Sequence, residues 1–197
     1  MIGKIEKVPL RAIWKHEATG FTRWLQENID VLNSVLDFNL ISSPEREQST
    51  GNFNVDLVAE DENGNLVVIE NQLDKSNHDH LGKVITYLAS VGASRAIWIV
   101  SEPRQEHIKA IAWLNETRLA DFYLLKIEGI KIGNSEPAPL LTLIVGPSEE
   151  AKAAGKTKKE YAERHHLRKD FWTFLLEKAK TKTKLHSGIT PGTANWI

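Results

Sequence analysis

The chain contains no cysteine and a single methionine. Without cysteine it can form no disulfide, thiolate zinc site or cysteine nucleophile, and a reducing compartment suits it. No stretch approaches the ~18 consecutive apolar residues of a membrane-spanning helix. The first ten residues, MIGKIEKVPL, lack the apolar core of a signal peptide. The chain therefore reads as a cytoplasmic protein with no membrane partner. It shows no internal repeat.

What is present points to one sizeable core with an appendage. There are 197 residues, 41% hydrophobic and 26% charged, a soluble globular composition. The net charge of −1 is unevenly spread. Residues 151–184 carry 11 Lys and Arg against 4 Asp and Glu, leaving 14 basic and 22 acidic residues elsewhere. A basic segment beside an acidic body suits a polyanionic partner, and equally a solvated helix face in a linker.

Hydrophobic periodicity predicts an α/β protein. Phe21, Trp24, Leu25, Ile29, Leu32 and Leu36 recur at helical spacing over 16–36, with Thr19 or Thr22 as a candidate cap. A short strand is expected over 36–42 and a polar turn over 44–51. Residues 52–60 alternate as a strand, with Phe53, Val55 and Leu57 on one face and Asn54, Asp56 and Val58 on the other. The run 66–73, LVVIENQL, is a buried strand whose end turns polar. A helix is expected over 78–91, a strand over 95–100, a helix over 105–117, and strands over 121–127 and 140–145. Trp98, Trp113 and Trp172 sit on apolar stretches and read as core. From Gly146 the composition becomes small and charged. The expected organisation is a domain over 1–147, a linker over 148–163 and a helical extension over 164–197. That extension reads as the start of an incomplete second domain, opened by a helix over 164–180.

The turn Asp61-Glu62-Asn63-Gly64 allows two hairpin registers. A two-residue Asn63-Gly64 loop sets Leu57 opposite Glu70 and sends Asp56 to the other face. A three-residue loop, Glu62-Asn63-Gly64 with glycine in the left-handed conformation, pairs Asp61 with Asn65. Asp56 then lies opposite Glu70, and Asn54 opposite Gln72. Glu70 and Gln72 share a face, about 6–7 Å apart along the strand. The three-residue loop is expected, because the alternative leaves each polar group without a partner. Facing carboxylates repel unless protonated, hydrogen-bonded or bridged by a cation. The alternative reading of Glu70-Asn71-Gln72 is a solvated strand end.

These residues carry a family resemblance. Val55-Asp56 followed by Glu70-Asn71-Gln72, then a helix and a strand, resembles the PD-(D/E)XK nuclease superfamily. The longer runs FNVDLVAEDENGNLVVIENQL, SNHDHLGKVITYLA and IAWLNE resemble a bacterial and archaeal subgroup with Glu-Asn-Gln. The resemblance covers roughly residues 10–147. It implies a restriction-endonuclease-like αβββαβ core with a mixed central sheet, extra C-terminal strands and a C-terminal helical extension. It also implies hydrolysis of DNA phosphodiester bonds in restriction, defence or repair, with Mg²⁺ or Mn²⁺ as cofactor. Asp56 and Glu70 would bind the metal, with the Asn71 carbonyl as a third oxygen. An acidic residue of the first helix, Glu17, would complete the site.

The departure from the pattern is Gln72, which stands where the superfamily carries lysine. Glutamine bonds to a water or phosphate oxygen but is neither charged nor a base. Lys83, one turn after His80, is a candidate replacement cation, with an exposed helix lysine as the other reading, and Lys75 is a second candidate. In Asn77-His78-Asp79-His80 the two histidines do not share a face, so a zinc site is not expected. Asn77 or Asp79 is the expected helix cap, and His80 the histidine facing the cleft. Tyr87 falls where the resemblance places a tyrosine near the site, but reads rather as a partly buried aromatic with a satisfied hydroxyl. DNA is the expected partner, with a homodimer, a partner subunit or a C-terminal domain as further expectations. The rival readings are a nucleic-acid-binding module without turnover and a scaffold subunit on the same fold.

Overall fold

The computed structural model describes residues 2–41, 45–46, 49–50, 53–148, 164, 167–183 and 188–191. In chain order the elements are β1 (Ile5–Val8), α1 (Leu10–Ile13), α2 (Arg23–Glu27), β2 (Glu45–Arg46), β3 (Ser49–Thr50), β4 (Phe53–Asn54), β5 (Leu57–Glu60), β6 (Leu66–Lys75), α3 (His78–Val91), β7 (Arg95–Glu102), α4 (Gln105–Thr117), β8 (Asp121–Ile132) and β9 (Ala138–Val145). The chain divides into two compact units, Met1–Ser148 and Glu149–Ile197. No helix among the described residues is long and apolar enough to cross a membrane.

The first unit is built on a mixed sheet of order β1-β8-β7-β6-β5-β2, with β9 also paired to β8. β6, β7 and β8 are parallel, joined by α3 and α4 as crossovers, and β5, β9 and β1 add antiparallel pairs. Parallel strands covered on both faces are apolar throughout, which is why 66–73 and 95–100 read as continuous runs. One face buries Ile69, Ile97, Ile99 and Leu125 under Phe21, Leu25 and Leu32 of the N-terminal segment. The opposite face buries Trp98, Val100 and Leu124 under Val84 of α3 and Ile111 of α4. Central strand β6 therefore lies between two apolar layers, and its polar end is held by both.

The expected helix over 16–36 is broken into three pieces. Glu17–Thr22 is a wide π-helical turn, Arg23–Glu27 an α-helical turn, and Ile29–Ser34 a tighter 3₁₀ segment. The wide turn brings both Phe21 and Thr22 inside. Asn28 ends the α-helical piece, its side chain donating to the Trp24 carbonyl at 2.8 Å. Neither candidate cap acts as one: Thr22 is buried and accepts a hydrogen bond from Asn71 instead. The short strand expected over 36–42 is reduced to one bridge, Leu40 to Asp61, over the described part.

One strand was not expected, and two further expectations are corrected. β1 has an exposed pattern with no alternation to mark it, and it exists because Ile5–Val8 pairs with the extended end of β8. The strand over 52–60 breaks at Val55-Asp56. Val55 consequently packs with Val58, Val68 and Tyr87, not on the face of Leu57. Trp113 is 64% exposed, because α4 turns His107, Ile111 and Asn115 inward and Trp113 falls on the opposite side. Trp98 is core, and Trp172 is half-buried.

In the second unit a helix runs over 167–180, with the Phe171 and Trp172 rings 5.1 Å apart. The linker expected over 148–163 lies outside the described residues apart from Ser148, as do residues 192–197.

The hairpin adopts the three-residue register, with Leu57 opposite Ile69 and Val58 opposite Val68. Gly64 takes a φ of 75°, and the Asp61 N–H donates to the Asn65 carbonyl at 3.0 Å. Asp61, 0% exposed, holds this turn. Its Oδ1 accepts from the Asn63 and Asn65 N–H groups at 2.8 Å each, and its Oδ2 is paired with Arg95. Arg95 in turn lies over the Phe38 ring and reaches Asp121. Asp61→Ala removes the turn's acceptor and leaves Arg95 poorly compensated. It is expected to cost about 3–5 kcal/mol of stability in urea unfolding, whereas loss of an exposed pair such as Arg23–Glu27 (3.0 Å) should cost under about 1 kcal/mol.

Candidate active site

β6 delivers the site residues by simple alternation. Val68, Glu70 and Gln72 face α3, while Ile69, Asn71 and Leu73 face the N-terminal segment. Glu70 is 1% exposed, Asn71 0% and Gln72 4%. The sequence therefore places three polar side chains in succession inside the core, which requires partners for each.

Asp56 precedes β5 by one residue, so the observed register carries it beside Glu70. Its Oδ2 accepts from the Asn71 N–H at 2.8 Å. Glu17 opens the π-helical turn and reaches β6 from the other side, its Oε2 accepting from the Leu73 N–H at 2.5 Å. Asp56 and Glu17 thus bracket Asn71, whose own side chain donates to Thr22 Oγ1 at 3.1 Å.

α3 starts just beyond β6. Asn77 caps it, accepting from the His80 N–H at 2.9 Å, as the sequence predicts. The cap aims the first turn at Glu70. His80 Nδ1 lies 2.8 Å from Glu70 Oε1, and Lys83 Nζ, one turn on, lies 3.4 Å from the same oxygen. Lys75, the other candidate cation, is paired with Glu102 at 2.8 Å. Burial pulls the Lys83 pKa down, but Glu70, Tyr87 and Asp56 together outweigh it and the net shift is upward. Lys83 is therefore a cation at neutral pH, not a base. Tyr87 is buried against Val55 and Val68, and burial followed by Glu70 raises its pKa, so its hydroxyl stays neutral.

Gln72 is held by the backbone that follows it. Its Nε2 donates to the Lys75 carbonyl at 2.7 Å, across the irregularity where β6 shifts register against β7. The side chain of Asn54, expected opposite Gln72, lies outside the described residues.

Two observations bear on whether these residues could hold a hard cation such as Mg²⁺ or Mn²⁺. Glu70 Oε2 is buried with no hydrogen-bond partner among the described residues. The Asp56 carboxyl is pushed up to about 7 by burial and then by Glu70, with a lesser push from Glu17, against the opposing pulls of the Asn71 N–H and, least, Lys83. Negative charge is thus in excess, on oxygen donors of the type such ions take. Among the described residues no group of three or more His, Cys, Asp or Glu is gathered as a ready cation cage.

A second polar group behind the site was not anticipated. Ser76 Oγ lies 2.7 Å from His107 Nδ1 and accepts from the Arg104 N–H at 2.9 Å. His107 Nε2 lies 3.0 Å from His78 Nδ1. Burial, followed by His78, lowers the His107 pKa and keeps the ring neutral. The group ties the end of β6 to the starts of α3 and α4. Its signal was available: His107 is four residues before inward-facing Ile111.

No family model matches the chain, and no curated protein matches it. Among solved structures, a repair endonuclease from Pyrococcus abyssi is 22% identical with a TM-score of 0.41, over 54% of this chain and 45% of that one. A complex of EndoMS with double-stranded DNA is 19% identical with a TM-score of 0.41, over 54% and 43%. A protein of unknown function from Silicibacter pomeroyi is 11% identical with a TM-score of 0.30, over 88% and 97%. The chain thus spans less than half the length of the first two. Likeness at this level carries no functional argument, which rests on the site itself.

The raised Asp56 pKa has a definite consequence. Between the ordinary 3.8 and about 7, the folded protein holds a proton at Asp56 that the unfolded chain releases. Stability drawn from this group is therefore complete below the lower value and is lost as pH rises through the upper one. Asp56→Asn, neutral at every pH, should melt above the wild type at pH 8, with the gap closing towards pH 4. Circular dichroism melts at the two pH values check this; a variant that melts lower at both would show that Asp56 is not held as described.

Proposed function

We propose that the chain is a nuclease that hydrolyses DNA phosphodiester bonds with a divalent metal, Mg²⁺ or Mn²⁺, in restriction, defence or repair. The observation that supports it best is the setting of Glu70. This buried carboxylate, on the end of a rigid apolar strand, is approached by Asp56 from the residue before β5 and by Lys83 from the following helix. Such an arrangement combines hard oxygen donors with a permanent cation.

Asp56, Glu70 and the Asn71 carbonyl are the groups that would hold the ion. When bound, it would polarise the phosphodiester and lower the pKa of a bound water. The chain's own groups have separate tasks. The Asn71 N–H and the His80 ring keep Asp56 and Glu70 oriented. Lys83 brings to the site the positive charge that Gln72 lacks, where it would face charge developing on phosphate. The buried layers around β6 shield Glu70 from water and strengthen its contacts.

A second reading is favoured by one observation. Gln72 is uncharged and its amide nitrogen is committed to Lys75. A fold that has lost turnover would remain a nucleic-acid-binding module.

Incubation of the purified chain with plasmid and single-stranded DNA, with Mg²⁺ or Mn²⁺, separates the two. Metal-dependent cleavage is expected, abolished in Asp56→Ala and Glu70→Ala. Lys83→Ala should lower kcat by about 10²–10³. Cleavage undiminished in both carboxylate variants would move the activity elsewhere. Salt-sensitive DNA retention with no cutting would establish the binding module.

A further inference from the structure

Gln72 carries a constraint that its position in the motif does not reveal. A backbone carbonyl can only accept a hydrogen bond, so the Lys75 carbonyl at 2.7 Å fixes which end of the Gln72 amide faces it. The nitrogen turns towards the bulge, and Oε1 is presented on the other side. Oε1 is buried and has no hydrogen-bond partner among the described residues. Glu70 Oε2, two residues earlier on the same face of β6, is in the same condition. Both side chains are more than nine-tenths buried, at 4% and 1% exposure. Leaving two acceptors of this kind without a donor is costly. A shared cation removes both costs, because it is bound by the very lone pairs that lack donors.

We infer that Gln72 is a metal ligand: its amide oxygen joins Glu70 Oε2 as a neutral oxygen donor to a divalent cation. The residue in the lysine position thus does not replace the lysine's charge. That task lies with Lys83, which bonds to the opposite oxygen, Glu70 Oε1. The two oxygens of Glu70 are divided accordingly, Oε1 to His80 and Lys83 and Oε2 to the ion. A neutral donor also suits a site with surplus negative charge, since a further carboxylate would add to the repulsion already acting on Asp56. This inference rests on the metal-dependent reading above.

The test is Mn²⁺ binding to the full chain, measured by electron paramagnetic resonance with Mg²⁺ as competitor and no DNA present. Wild type should bind, and Glu70→Gln should lose binding. Gln72→Met, of similar shape but with no donor oxygen, should bind at least about tenfold more weakly, and Gln72→Lys more weakly still. A lysine substitute acting as hydrogen-bond donor predicts the reverse, with metal affinity unchanged in Gln72→Met. That result, with Glu70→Gln still defective, overturns the inference and leaves the cation site standing. Wild-type binding that survives Glu70→Gln, or no wild-type binding at all, overturns the cation site itself, and this inference with it. Because Gln72 also clasps the bulge, Gln72→Met could fail to fold. The wild-type chain supplies the second measurement: the Gln72 side-chain amide ¹⁵N resonance should shift as Mg²⁺ saturates the site, and its constancy at saturation overturns the inference.

Discussion

The buried carboxylate of Asp61 is the contact on which the hairpin, and through it the site, depends. A side-chain period of two means that a slip of one residue between β5 and β6 would send every side chain of one strand to the other face. Apolar residues do little to prevent that slip here, since both faces of the sheet are buried and both take valine and isoleucine. The turn decides. Asp61 accepts from Asn63 and Asn65, Gly64 supplies the positive φ, and Arg95 compensates the buried charge. With the loop held at three residues, Asp56 arrives beside Glu70. With two, it would have been turned away from the acidic group.

The site gathers like charge at the end of a buried strand. The apolar half of β6 is clamped between two layers, so its polar half has little freedom to separate the carboxylates. The chain manages the conflict locally. The Asn71 and Leu73 N–H groups each take one carboxylate oxygen, and His80 and Lys83 take another. The remainder appears as a raised Asp56 pKa and as acceptors left over on Glu70 and Gln72. Backbone N–H groups from a strand end are well placed for this, because a strand that stops pairing frees donors where a carboxylate can reach them.

Legibility in the sequence followed the range of the physics involved. Strands β6 and β7 were legible as unbroken apolar runs, and helices α3 and α4 by a local period, with Asn77 at the start of α3 and Gly92 in the left-handed conformation at its end. The N-terminal segment was not. Its apolar residues recur at helical spacing, yet packing against the sheet favours a wide turn that buries Thr22 where a regular helix would expose it. Trp113 was misread because an apolar stretch does not say which of its side chains faces inward. β1 was missed because its partner, the far end of β8, lies more than a hundred residues away.

By itself the sequence determined the alternation that puts Glu70 and Gln72 on one face of β6, the turn that chose the register, and the cap that starts α3. Each depends on contacts between residues a few positions apart. The tertiary structure decided what those residues meet: that Lys83 and not Lys75 pairs with Glu70, that Glu17 reaches the Leu73 N–H, and that the Gln72 amide is turned by the Lys75 carbonyl at the bulge. The reason is geometric. A long side chain such as lysine can reach several partners from one backbone position. Only the packing of α3, the π-helical turn and the end of β6 around one another selects among them.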